Sequence, residues 1–209
     1  MARYLGPQCK RCRRHGAKLF LKGERCYTDK CAMERRNAAP GQGPIKKKTK
    51  LSDYAFQLKE KQKIKEMYGL LERQFRLYFQ RTSRKKGVTA QNLVDLLESR
   101  LDNVVYRLGF ATSRKLARQM VRNKYFLVNG KRISVPSYIV KIGDTIKIVD
   151  KYSNNSTVVS SLNLAKQRGY DSWVVFDEAT KSGQITRLPA IDELNLPVNL
   201  QLVVELYSK

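Results

Sequence analysis

Between Thr89 and Val149 the order of apolar residues and chain-breaking residues admits few folds. Leu93, Leu97, Leu101, Val104, Val105 and Leu108 recur at helical spacing, which predicts a helix from its cap Thr89 to Leu108, with Gly109 as left-handed terminator. A short helix then starts at Thr112 or Ser113. It sets Arg114, Arg118 and Arg122 on one face and Ala117, Met120 and Val121 on another. Tyr125–Val128 reads as a strand, Asn129-Gly130 as the most favoured two-residue hairpin turn, and Lys131–Val135 as the return strand. Pro136–Tyr138 bends the chain, and Gly143-Asp144 turns it again before a strand from Thr145 to Val149. The expected module is a helix pair followed by a hairpin sheet. Its three aligned guanidiniums can follow a phosphate backbone, each fork taking two oxygens. Like charges at that spacing destabilise a bare helix, so they call for a counter-charge.

The charge balance names the counter-charge. Lys and Arg number 42 against 18 Asp and Glu, a formal net of +24. A compact chain gathers that much charge only opposite a polyanion. The excess belongs to residues 1–150, because the last 59 residues are neutral. Structured RNA is favoured over DNA, since no long recognition helix or dimer seam suits a major groove.

All four cysteines lie in the first 31 residues, as Cys9-x2-Cys12 and Cys26-x4-Cys31. Two close pairs joined by a loop are what tetrahedral four-sulfur ligation needs. Lys10, Arg11, Arg13 and Arg14 flank the first pair and favour thiolates. Zinc is the expected structural metal; the spacing alone leaves an iron–sulfur cluster as the alternative. Metal would also hold a segment too poor in apolar residues to fold by burial. His15 falls outside the four ligands and reads as a surface or RNA-facing side chain.

Asn37–Pro44 is a turn-rich linker leading into Lys46, Lys47, Lys48 and Lys50, expected to form a phosphate-contacting loop. Ser52 caps a helix to Tyr68 that carries Lys59 and Lys63, with an apolar seam of Tyr54, Ala55 and Leu58. A second helix, Leu71–Lys85, has a buried stripe of Leu71, Phe75, Tyr78, Phe79 and Thr82. Arg73, Arg76, Arg81, Arg84 and Lys85 lie on its other side. In the neutral tail, Ser153–Ser161 reads as a polar loop. Trp173–Phe176, Gln184–Leu188 and Gln201–Leu206 read as short strands or buried runs. No apolar run suits a membrane span or a signal peptide. The chain also lacks G-x-S-x-G, H-E-x-x-H and a phosphate-cradling Gly loop, so no catalysis is expected.

The stretch Glu98-Ser99-Arg100-Leu101-Asp102-Asn103-Val104-Val105-Tyr106-Arg107-Leu108-Gly109-Phe110, with Ser113-Arg114, Ala117-Arg118-Gln119, Arg122 and Val128-Asn129-Gly130-Lys131, resembles the family of bacterial small-subunit ribosomal protein four. Leu51-Ser52-Asp53-Tyr54, Glu72-Arg73-Gln74-Phe75-Arg76 and Glu205-Leu206-Tyr207-Ser208-Lys209 extend the match along most of the chain. The resemblance implies an α+β protein divided into four parts. These are a four-cysteine metal knuckle and linker (1–45), a helical domain (46–90), a small RNA-binding domain of helices and hairpin sheet (91–150), and a tail (151–209). The tail completes the sheet and packs back on the helices. It implies a non-enzymatic cytoplasmic component of the small (30S) subunit. This component binds 16S rRNA at a helix junction of the 5′ domain, nucleates assembly and contributes to translational accuracy. Ribosomal proteins five and three of the small subunit are the implied neighbours. Lys46, Lys47, Lys48 and Lys50 would line the channel by which messenger RNA arrives; DNA and membranes are not expected partners. Candidate RNA contacts are Lys10, Arg11, Arg13, Arg14, the Lys46–Lys50 lysines, Lys59, Lys63, Arg73, Arg76, Arg114, Arg118 and Arg122, together with Arg3, Arg100, Arg107, Ser113, Lys115, Gln119, Asn129 and Lys131. One departure is visible. Relatives read Pro-Gly-Gln-His-Gly where this chain reads Pro40-Gly41-Gln42-Gly43-Pro44, without the histidine.

Overall fold

The structure, a computed structural model, describes residues 3–36, 38–41 and 51–208. In chain order these form α1 (Gln8–His15), a 3-10 turn (Gly23–Cys26), α2 (Ala32–Arg35), α3 (Asp53–Met67), α4 (Glu72–Ser83), α5 (Thr89–Glu98), α6 (Leu101–Arg107) and α7 (Arg114–Arg122). There follow β1 (Phe126–Val128), β2 (Lys131–Arg132), β3 (Thr145–Ile148), α8 (Ser156–Arg168), β4 (Val174–Asp177), β5 (Ser182–Ile185) and α9 (Leu200–Tyr207). The chain divides into two compact units, residues 1–93 with 194–209 and residues 94–193.

In the first unit Ser52 caps α3, its hydroxyl accepting the Ala55 N–H at 3.4 Å. The buried face of α3 is Gln57, Lys61, Ile64 and Met67, not the expected Tyr54, Ala55 and Leu58; Tyr54 is 59% exposed. The shift has a cause in α9, a helix where a strand or buried run was expected, which packs along α3. Asn199 caps α9 through the N–H groups of Gln201 and Leu202, while its own N–H donates to Glu60 at 2.9 Å. Gln57 donates to Glu205 at 3.2 Å, and the Tyr207 ring stacks on Phe79 at 4.5 Å. On α4, Phe75, Tyr78, Phe79 and Thr82 are buried as predicted, but Leu71 lies before the helix and is 38% exposed. Lys61 can be buried because Glu72 accepts from it at 2.7 Å, from Lys65 at 2.8 Å and from the Tyr207 hydroxyl at 3.1 Å. Desolvation alone would raise the Glu72 carboxyl; the two lysines outweigh it and hold the group down at about 2.

In the second unit the expected single helix 89–108 is two helices. The break at Ser99-Arg100 follows from competition for the backbone. Arg100 is extended (φ −68°, ψ 136°) and bridges Ile139. The 136–140 loop then satisfies the open end of α6, with Leu101 N–H donating to Tyr138 O at 2.8 Å and Asp102 N–H to Pro136 O at 3.1 Å. Gly109 terminates α6 at φ +81° as predicted. Asn129 and Gly130 both have positive φ (48° and 77°), as the hairpin turn requires, although the return strand is only Lys131–Arg132. The sheet is antiparallel throughout, in the order β2-β1-β3-β5-β4. Ser153–Ser161 is not a loop beyond Asn155. That side chain accepts the Thr157 N–H at 2.9 Å and starts α8, whose Val158, Ser161 and Ala165 are buried on one face. Its serines do not unwind the helix, because the Ser160 and Ser161 hydroxyls return to the carbonyls four residues back. Phe110 sits edge-on to both Phe126 (5.2 Å) and Phe176 (5.5 Å), so helix and sheet share one core.

Candidate nucleic-acid interface

Ser113 folds α7 by accepting the Leu116 N–H at 3.3 Å, and Ala117, Met120 and Val121 face the core as expected. The arginines of this region divide into two groups. Arg100 is fully buried and forks onto Asp102 (Nε–Oδ1 3.0 Å, Nη2–Oδ2 2.7 Å); Arg118, also buried, joins the same carboxylate at 3.2 Å. Arg107 forks onto the fully buried Glu98 through two bonds of 2.9 Å and reaches Asp171 at 3.3 Å. Arg114 donates to Asn103 Oδ1 at 2.7 Å and lies over the Tyr106 ring. Asn103 donates in turn to Glu98 at 2.6 Å, so Arg107, Asn103 and Arg114 gather around that one carboxylate.

Of the expected outward row Arg114–Arg118–Arg122 only Arg122 is exposed; Arg118 is buried and Arg114 half-buried. Arg100 and Arg118 are turned onto Asp102, and Arg107 and Arg114 onto Glu98 and Asn103. The physical reason is the pair of buried carboxylates, which supply the counter-charge that the like-charged helix lacked. The row that faces solvent is one residue displaced: Lys115, Gln119 and Arg122, at i, i+4 and i+7, are all exposed. Lys131, Arg132 and Lys124 are exposed as well, and none of these cations has a side-chain partner among the described residues. Asn129, exposed, also locks its turn, its amide donating to Asp144 at 2.8 Å and its oxygen accepting the Thr145 N–H at 3.0 Å.

In the first unit Lys10 and Arg14 are exposed, Arg3 is half-buried, and Arg13 donates to Ala38 O at 2.9 Å. Arg11 lies over the Tyr4 ring at 3.6 Å and pairs with Glu66. His15 is not on the surface; its side chain is buried, with Nε2 3.2 Å from Glu66. Lys63 pairs with Glu60, Lys59 is half-buried, and Arg73 and Arg76 are exposed. Lys46, Lys47, Lys48 and Lys50 lie outside the described residues. Sequence reasoning missed Glu98, Asp102 and Asp171 as partners. The available signal was two acids four apart in an apolar helix otherwise ringed by arginines.

Cys9 and Cys12 stand on α1, Cys26 closes the 3-10 turn and Cys31 precedes α2. All four line one cavity of about 20 Å³. They stand around its wall: among the described residues no three or more His, Cys, Asp or Glu side chains converge at ligating positions. Burial first, and the charges of the other cysteines with it, push the Cys12 and Cys26 thiols up. Backbone N–H groups oppose this, Leu19 donating to Cys12 and Lys22 to Cys26 at 3.4 Å. Four mutually repelling sulfurs with N–H donors behind two of them suit a thiolate-bound cation. No helix among the described residues is long and apolar enough to cross a membrane.

Two family models match the chain: "Ribosomal protein S4/S9 N-terminal domain" over residues 3–98 and "S4 domain" over residues 99–146. The chain is similar to the small ribosomal subunit protein uS4 of Thermodesulfovibrio yellowstonii, 53% identical over 209 residues and covering all of both chains. It is likewise similar to the uS4 proteins of Trichlorobacter lovleyi (53% over 210 residues) and Acetivibrio thermocellus (52% over 209), again over the full length of each.

Proposed function

The chain belongs to the family of small ribosomal subunit protein uS4, structural components and not enzymes, and from that premise we propose that it binds 16S rRNA directly, at the 5′-domain helix junction. One observation carries the reading. The interior arginines are tied to Glu98 and Asp102, while Lys115, Arg122, Lys131 and Arg132 are exposed and have no counter-charge among the described residues. The buried network makes the frame stiff, and the unpaired cations release counterions when they meet phosphates. Nucleation of assembly, a part in translational accuracy beside ribosomal proteins five and three, and messenger RNA contacts of the Lys46–Lys50 cluster complete the proposal; these rest on the family alone.

Binding of the full chain to a 16S 5′-domain transcript tests it. For on the order of ten phosphate contacts, log K falls against log salt with a slope of roughly −7 to −9. Lys115→Ala with Arg122→Ala weakens binding about tenfold and flattens the slope by about 1.4–1.8. A parent slope shallower than about −3 removes the reading.

We propose further that Cys9, Cys12, Cys26 and Cys31 hold a structural zinc, which would balance four thiolates and fix α1, the 3-10 turn and α2 as one knuckle. Elemental analysis of the purified chain is expected to find about one zinc per chain, lost in Cys12→Ser. Iron with visible absorbance would assign the site to a cluster instead.

A further inference from the structure

The sheet of the second unit has two edges of opposite character. The β2 edge is two residues long and both are basic, Lys131 and Arg132, which blunts it against a further strand. The β4 edge reads Val174-Val175-Phe176-Asp177, three strand-forming apolar residues with no Lys or Pro among them. The Thr186 N–H donates to Trp173 O at 3.1 Å, which sets the phase of the β4–β5 pairing. In that register Val175 bonds to Gln184, and the backbone groups of Val174 and Phe176 point off the sheet. The Val174 N–H turns back to Asp171 O at 3.1 Å. The Val174 C=O and both backbone groups of Phe176 have no partner among the described residues.

A cavity of about 110 Å³ lies beside this edge. Val159, Leu162 and Asn163 line it from one face of α8 and Phe176 from β4, with the Tyr170 ring stacked on Phe176 at 5.3 Å. At its rim Lys166 pairs with Glu178 at 2.6 Å, both side chains more than half exposed, so the pair opens at little cost. Lys181, also at the cavity, donates only to Ser153 O and Asn154 Oδ1 and has no carboxylate among the described residues. An apolar cavity of about 150 Å³ holds a benzene, so this one takes a branched aliphatic side chain. A free strand edge with a side-chain pocket next to it is the geometry of strand addition. We infer that the β4 edge is a docking site for an extended segment of an acidic protein. The segment adds as a sixth strand, seats one aliphatic side chain against Val159, Leu162 and Phe176, and sets a carboxylate on Lys181. Charge chooses this occupant. Residues 151–193 carry five Lys and Arg against five Asp and Glu, so the region lacks the cationic excess that meets RNA. A second copy of the chain would bring another +24 and be repelled, whereas an acidic protein is drawn in.

The test is a titration of the full chain with a capped seven-residue peptide, threonine-valine-glutamate-leucine-glutamate-valine-threonine, followed by amide hydrogen exchange. A Kd on the order of 1 mM or tighter is expected. At ten times Kd the Phe176 amide should exchange about tenfold more slowly. Val159→Trp, at an exposed position of α8, fills the cavity and weakens binding about tenfold or more; Lys181→Ala weakens it about threefold. A circular-dichroism melt unchanged from the parent establishes that each variant is folded. The same peptide N-methylated at alternate residues tests the edge bonds without any change to the protein, and should leave the Phe176 amide unprotected. No saturable binding up to ~10 mM overturns the site. So does parental binding by the N-methylated peptide or by Val159→Trp. A dimer in sedimentation that slows the Phe176 amide without peptide overturns it in favour of a second copy. A seven-residue oligouridylate that protects this amide better than the peptide overturns it in favour of RNA. Val159→Trp should keep the parental affinity and salt slope for the 16S 5′-domain transcript, so this site and the RNA-binding reading fail separately.

Discussion

Asp102→Ala lowers the stability of the second unit by about 3–5 kcal/mol, the cost of leaving a buried guanidinium without its carboxylate. Arg100 has no exposed surface, and both its bonds to Asp102 are 3.0 Å or shorter; Arg118 shares the same oxygen. Trp173, the only tryptophan and a buried residue of this unit, reports the urea transition by fluorescence. The midpoint should fall with an unchanged m-value. Replacing the triad together, Arg100→Met, Asp102→Leu and Arg118→Met, is expected to recover most of the loss, since apolar residues of similar volume can substitute for a buried ionic triad. A single-variant loss below about 1 kcal/mol would show that water enters this network.

Gly109→Ala is expected to cost about 3 kcal/mol, from two separable sources. A left-handed φ of +81° costs a residue with a Cβ about 1–2 kcal/mol. The new Cβ would also overlap Cβ of Ala165 and lie 3.8 Å from its Cα, a clash that only a shift of α8 relieves, worth about 1–3 kcal/mol. Ala165→Gly removes the second source and not the first. A double-mutant cycle in urea should therefore show a favourable coupling of about 1–2 kcal/mol. Additive losses would mean that α8 moves freely away from the α6 terminus.

What could be read from residues alone, and what could not, follows the range of the forces involved. Ser52, Ser113, Gly109 and Asn129-Gly130 act on neighbours within a few positions, and each does in the fold what its local chemistry predicts. The break at Arg100 was hidden because the loop that competes for its backbone, residues 136–140, lies far along the chain. Helical periodicity runs through the break undisturbed. α8 was concealed by serine-rich composition, although Asn155 and the buried trio Val158, Ser161 and Ala165 carry the helical signal. At the candidate interface, cation identity was legible and cation direction was not. Arg118 and Lys115 differ by less than one turn, and only the position of Asp102 decides which of them points inward. His15 turned inward for the same reason, drawn to a carboxylate on a helix distant in sequence, Glu66.

The first unit is assembled from two stretches separated by the whole of residues 94–193, with α9 closing against α3 and Tyr207 against Phe79. During synthesis the interrupting unit can therefore reach its native form while the interrupted one is still incomplete. Until α9 emerges, Phe79 lacks the ring that stacks on it, Phe75 lacks the same ring tilted against it, and Glu72 lacks the Tyr207 hydroxyl. Vectorial translation thus imposes a maturation order in which α4, whose partner α9 is made last, is braced last.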